Sequence, residues 1–176
     1  MMKEKANWSF EKSEIKYAVI ISVLGFVWLL LEYAVGLHDK YVDYHPFISM
    51  FGIIIPIIGI RMAIKNKKDS NNGKMTYAEG FKSGSFISVL SGVMAPVGLL
   101  IYTRIINPNW FDFMVKYSTR RALEAGLKGD QLTQSITYAQ NYFNERSYVL
   151  QTCFGTIVSG ILISAIVSLV LKTKGD

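Results

Sequence analysis

A lone carboxylate in an apolar stretch is the first feature of this chain that invites chemistry. Glu32 is the one ionisable residue well inside an apolar block, and it lies five positions before that block ends at 37. An ionisable residue there points to proton or cation handling, or to an interfacial or packing role. In the latter it reaches headgroups or bonds to Tyr33, Tyr41 or Tyr44. Just beyond it, His38, Asp39, Asp43 and His45 place two imidazoles and two carboxylates within eight residues. Those ligand types suit a divalent metal, but their spacing matches neither a helical i, i+4 pair nor a finger pattern. The sequence therefore assigns no metal ligand.

Other chemistry is harder to place. No Gly-x-Ser-x-Gly elbow occurs, because Gly84-Ser85-Phe86-Ile87-Ser88 departs from it at the last position. There is no phosphate loop and no His-Glu-x-x-His. The single cysteine, Cys153, excludes an intrachain disulfide and a thiolate metal site, and reads as a small residue inside a helix. No catalytic residue and no cofactor are assigned. The net charge of +6 is not carried by a basic run interleaved with aromatics on a soluble domain. It reads as basic loops facing anionic lipid, with no nucleic acid as partner.

The elements that would hold Glu32 follow from composition. The chain of 176 residues is 51% hydrophobic and 18% charged, below the usual charge of about 25% for a soluble domain. Its apolar residues gather into four blocks, 17–37, 44–64, 83–104 and 147–171. About 20 helical residues cross a hydrocarbon core of about 30 Å, so each block fits one span. The first ends in a small-x-small run, Ala34-Val35-Gly36, yet it exceeds a signal-peptide core and reads as a retained helix. Asp43 and Pro46 suit the start of the second span. The stretch 65–82 reads as a mobile hydrophilic loop, ending in a Thr76-x-x-Glu79 capping box. Residues 107–146 predict an amphipathic αα-hairpin: one helix from Trp110 lying on the membrane surface and ended by Gly129, then a second over 130–144. The fold expected is all-α, a four-helix membrane bundle forming one domain over 1–176, with that hairpin between spans three and four.

Lysine and arginine near span ends set orientation. Lys3, Lys5, Lys12 and Lys16 precede span one. Arg61, Lys65, Lys67, Lys68, Lys74 and Lys82 lie between spans two and three, and Lys172 and Lys174 follow span four. The turn after span one has only Lys40, beside two aspartates. Both termini and the middle loop are therefore expected in the cytoplasm, with the hairpin outside. Arg61, Tyr77, Lys82, Arg104 and Trp110 are the expected interfacial anchors. Small residues recur every four positions as Gly80, Gly84, Ser88 and Gly92 on span three, and as Thr156, Gly160, Ser164 and Ser168 on span four. Such ridges let helices approach closely, within one chain or between copies. Pro56 and Pro96 sit mid-span and free the carbonyls of Gly52 and Gly92.

Two local runs resemble a known family. Tyr77-Ala78-Glu79-Gly80-Phe81-Lys82-Ser83-Gly84 leads into span three, while Tyr102, Ile105-Ile106-Asn107-Pro108 and Phe111 close it. With the four spans and the long third loop, the chain resembles the bacterial membrane family labelled domain of unknown function four-one-nine-nine, over nearly its whole length. The resemblance implies an inner-membrane protein of a Gram-negative bacterium and brings no activity with it. The function expected is a non-enzymatic accessory subunit, in contact with lipids and assembling as a homo-oligomer or in a larger complex. A small transporter or channel subunit built around Glu32 is the alternative, and an enzyme of lipid or envelope chemistry stands third.

Overall fold

A computed structural model describes residues 12–173 and is helical throughout. Lys3, Lys5 and Lys174, used above for orientation, lie outside the described residues. Four helical stretches are long and apolar enough to cross a membrane: Lys12–Ala34, Val42–Ser70, Tyr77–Ile106 and Glu145–Leu171. The first is α1. The second comprises a 3₁₀ turn at Val42–Tyr44, α2 (His45–Ser49), a 3₁₀ segment at Met50–Ile53 and α3 (Ile54–Ser70). The third is α4 (Tyr77–Ile101) closed by a π-turn at Tyr102–Ile106, and the fourth is α7 (Glu145–Leu171). Between them lies the hairpin of α5 (Trp110–Glu124) and α6 (Gly129–Tyr142).

Helix α4 makes its most extensive contact with α7, and α3 and α4 each touch both α1 and α7. Small residues set the α4–α7 approach. A Cβ on Gly84 would stand 2.5 Å from Ser164 Oγ, one on Gly80 2.9 Å from Ser168 Oγ, and one on Gly160 would collide with Ser88. Gly92 faces Ile157 and the carbonyl of Cys153 in the same way, while Thr156 faces a cavity. The hydroxyls of Ser88 and Ser164 donate back to the carbonyls of Gly84 and Gly160 at 2.7 and 2.6 Å, so these two are satisfied where the helices meet, whereas the buried Ser168 hydroxyl opposite Gly80 has no hydrogen-bond partner among the described residues. Outward faces carry exposed Val158, Leu162, Ile166 and Leu169, apolar surface of the kind lipid chains cover.

Several sequence expectations change. The loop expected over 65–82 shrinks to 71–76: α4 starts at Tyr77, and α3 continues to Ser70, because Lys67 Nζ pairs with Glu14 at 2.8 Å and Lys68 Nζ donates to the carbonyl of Leu171 at 2.9 Å. Contacts to other helices thus order a run whose composition alone reads as mobile. Asp43 does not cap span two; it accepts a hydrogen bond from Tyr117 Oη at 2.5 Å. Pro56 lies in the first turn of α3, directly after the 3₁₀ segment around Gly52. Its missing N–H and its ring displace the helical bond to residue 52, and the chain tightens there. Helix α5 ends before Gly126 (φ +81°), which reverses the chain, whereas Gly129 belongs to α6. The Thr76–Glu79 capping box opens α4. The same end of the bundle is tied at Met75 to the segment after α7: Met75 N donates to Thr173 Oγ1 and Thr173 N to Met75 O, both at 2.9 Å.

Candidate functional site

The site begins with how α1 ends. Gly36 takes φ +82°, with Gly36 N bonded to Tyr33 O and Leu37 N to Glu32 O, both at 3.0 Å. This 5→2 and 6→1 pair is a Schellman motif, which needs a residue able to adopt the left-handed conformation. The reversal brings His38 back over the last turn of α1, where Glu32 sits. A chain of short turns to residue 44 then delivers His45 to the same place. Four positions before Glu32 on α1, Trp28 Nε1 donates to Glu32 Oε1 at 2.7 Å. The indole fits because Gly52 opposite has no side chain; a Cβ there would lie 3.0 Å from Trp28 Nε1.

The other carboxylate oxygen faces the two histidines. Oε2 stands 3.7 Å from His38 Nε2 and 3.9 Å from His45 Nε2, too far for direct hydrogen bonds. His38 Nε2 is buried with no hydrogen-bond partner. On the opposite side of that ring, Nδ1 shares a hydrogen bond of 2.5 Å with Tyr102 Oη, which also accepts one from Asn107 Nδ2 at 2.8 Å. Tyr102 and Asn107 are placed by the π-turn, closed by a bond of 2.7 Å from Asn107 N to Tyr102 O. Trp110 lies against the His38 ring with centroids 4.5 Å apart, and His45 meets it edge-on at 5.0 Å. His38 is thus fixed from three sides.

Below this cluster lies a cavity of about 470 Å³, lined from all four spans and reaching Ser91, Thr156 and Ser159 at mid-bundle. Glu32, His38, His45, Tyr102 and Trp110 form its polar end. Among the described residues, no lysine or arginine pairs with Glu32; its charged or chargeable neighbours are the two imidazoles.

The residues singled out in the sequence separate into two groups. Glu32, His38 and His45 come together. Asp39 accepts from the backbone N–H of Lys40, and Asp43 is held by Tyr117, so neither joins them. Glu32 bonds to Trp28 rather than to Tyr33, Tyr41 or Tyr44. Trp110, expected as an interfacial anchor, is 3% exposed instead. The Asn107-Pro108 break turns the start of α5 into the bundle, where Trp110 and Met114 pack with Val42 and Tyr102. Of the other anchors, Arg61 is exposed, Tyr77 stacks on Phe81, and Arg104 makes a bidentate pair with Glu145 at 2.8 and 2.6 Å. Lys82 is exposed on α4. Sequence reasoning missed Trp28, Tyr102, Asn107 and Trp110 as members of the site. Only Trp28 leaves a local signal, the i, i+4 spacing to Glu32 on one helix.

Comparison with curated proteins and with solved structures returns no match. Residues 16–173, which include every member of the cluster and all four long apolar helices except the first four residues of α1, match the family model described as Protein of unknown function (DUF4199). The chain belongs to that family.

Proposed function

We propose that this protein is a cation-handling membrane protein whose binding centre is Glu32. The observation that carries this reading is a carboxylate 5% exposed, facing a cavity, with no fixed cation beside it among the described residues. A buried charge is tolerated when it is paired and hydrogen-bonded. Trp28 satisfies one oxygen; the carboxylate otherwise faces the two imidazoles and the Ser49 hydroxyl, and remains open to a mobile partner, a proton or a metal ion. The accessory-subunit reading draws less support, because the small-residue ridges of α4 and α7 are occupied by each other. The lysine distribution and the family membership support an inner membrane of a Gram-negative bacterium, with the termini and the 71–76 loop in the cytoplasm. In that orientation the polar end of the cavity lies toward the outer face, beneath the hairpin. Lipids are the partners this reading requires.

A second reading has its own support. A volume of about 470 Å³ exceeds what one ion needs and falls within the range of small-molecule pockets. A small organic cation with an apolar body would fit it, its charge at Glu32. Flux measurements in proteoliposomes test the proposal. The wild-type protein is expected to carry protons or cations, and Glu32→Gln to lower the rate at least tenfold. Equal flux in both proteins, or none in either, would remove Glu32 from the function.

A further inference from the structure

We infer that Glu32, His38 and His45 form a binding site for a divalent first-row transition-metal ion. The inference rests on reading Glu32 as a cation centre and says which cation it takes. One donor atom from each residue, three in all, lies within 4.8 Å of the others. Both Nε2 atoms face the same oxygen, Oε2, while Oε1 is already engaged by Trp28. Ligands at about 2.0–2.1 Å around a tetrahedral ion stand about 3.3 Å apart. Each imidazole thus closes on Oε2 by about half an ångström, and the two imidazole nitrogens, no more than 4.8 Å apart, close on each other by up to about 1.5 Å.

The surroundings have the character of a metal site. His38 Nε2 is a buried polar atom without a partner, aimed at the carboxylate. Its ring is held through Nδ1 by Tyr102, which Asn107 holds in turn. Metal-ligating histidines are commonly oriented by such a bond at the other ring nitrogen. Two imidazoles and one carboxylate favour zinc, cobalt, nickel or ferrous iron over calcium or magnesium, which prefer all-oxygen sites. The ion would keep a free coordination position toward the cavity. His45, whose side chain is 23% exposed, marks the route in.

The test uses the full chain, untagged, purified in mild detergent and stripped with chelator. Titration with Co(II) is expected to give one equivalent bound and the strong visible absorption of a four-coordinate nitrogen–oxygen site, which Zn(II) then abolishes. His45→Ala, at the partly exposed ligand, and Glu32→Gln are each expected to weaken binding more than tenfold. Tyr102→Phe is expected to weaken it about tenfold, by releasing the His38 ring. Glu14→Gln, remote from the site, should leave it unchanged. Circular dichroism establishes that each variant is folded. Absence of stoichiometric Co(II) or Zn(II) binding by the wild-type protein would overturn the inference, as would equal binding by Glu32→Gln and His45→Ala. Glu32-dependent proton flux without metal binding would overturn it too, while leaving the cation reading in place. Metal binding without flux would support the site and overturn the transport role.

Discussion

Glu14 and Glu32 lie near opposite ends of α1, and both are buried, at 4% and 5% exposure, yet their surroundings differ in kind. Glu14 has a lysine at 2.8 Å, and around it α3, α7 and the 71–76 turn are joined by polar contacts over a core of Ile64, Met75 and Ile87. Glu32 has an indole N–H, two imidazoles held off by 3.7 and 3.9 Å, and a cavity. The glycines follow the same division in part, although Gly52 and Gly98 at the cavity are packed against Trp28 and Phe26. Gly80 and Gly84 are pressed against Ser168 and Ser164, whereas Gly25, on the cavity wall, has nothing within 4 Å of where its Cβ would be. One end of the bundle is built to stay closed. The other keeps room around a charge, and a fold gains nothing in stability from such a void.

Three substitution experiments sharpen or break this contrast. The largest effect is expected from leucine in place of glycine. Gly84→Leu drives a side chain into Ser164 and should cost about 3 kcal/mol or more, read as a lowered midpoint of thermal unfolding in detergent. Gly25→Leu should leave the midpoint unchanged or raise it, while blocking any organic cation from the cavity. Equal losses from both would erase the distinction between the two ends.

Next come the carboxylates. Lys67→Met removes the ion pair to Glu14, one of the contacts of that residue, and should destabilise by about 2 kcal/mol. Glu32→Gln removes no ion-pair partner and still accepts from Trp28, so its stability should stay within about 0.5 kcal/mol of the parent. A large loss from Glu32→Gln would show that the charge serves the fold instead of a ligand.

The smallest effect concerns the hairpin above the open end. Tyr117 donates to Asp43, and that carboxylate pushes the Tyr117 hydroxyl above its ordinary ionisation range by disfavouring the phenolate. The protonated form is the one favoured by folding. Its contribution is therefore complete below about pH 10 and fades as pH rises from there through the raised value. Tyr117→Phe should cost about 1 kcal/mol or less and abolish this alkaline dependence. A titration of phenolate absorbance, with and without Asp43→Asn, checks it.

Much of the architecture is legible in the sequence. Apolar blocks of span length, the Thr76–Glu79 box and the stripe on α6 depend on neighbours within a few positions, so helices and hairpin can be read directly. The boundaries that shift do so through distant contacts. Lys67 and Lys68 extend α3 because their partners are Glu14 and Leu171, 53 and 103 positions away. The site divides the same way. Glu32 stands out as a charge in an apolar run, and Trp28 is its neighbour on one helix face. Gly36 is visible as a glycine, but that its left-handed turn carries His38 onto Glu32 is not.

By itself, then, the sequence determined four long apolar helices, an amphipathic hairpin between the last two, and a carboxylate that needs an explanation. Helix formation and hydrophobic patterning are local, with periods of three to four residues, and survive being read one window at a time. Only the tertiary structure decided that His38 meets Tyr102, 64 positions away. It also turned Trp110 inward, joined His45 to Glu32, and left a cavity beside them. Those relations depend on how the helices cross and where their side chains fill space, which no single window of sequence contains.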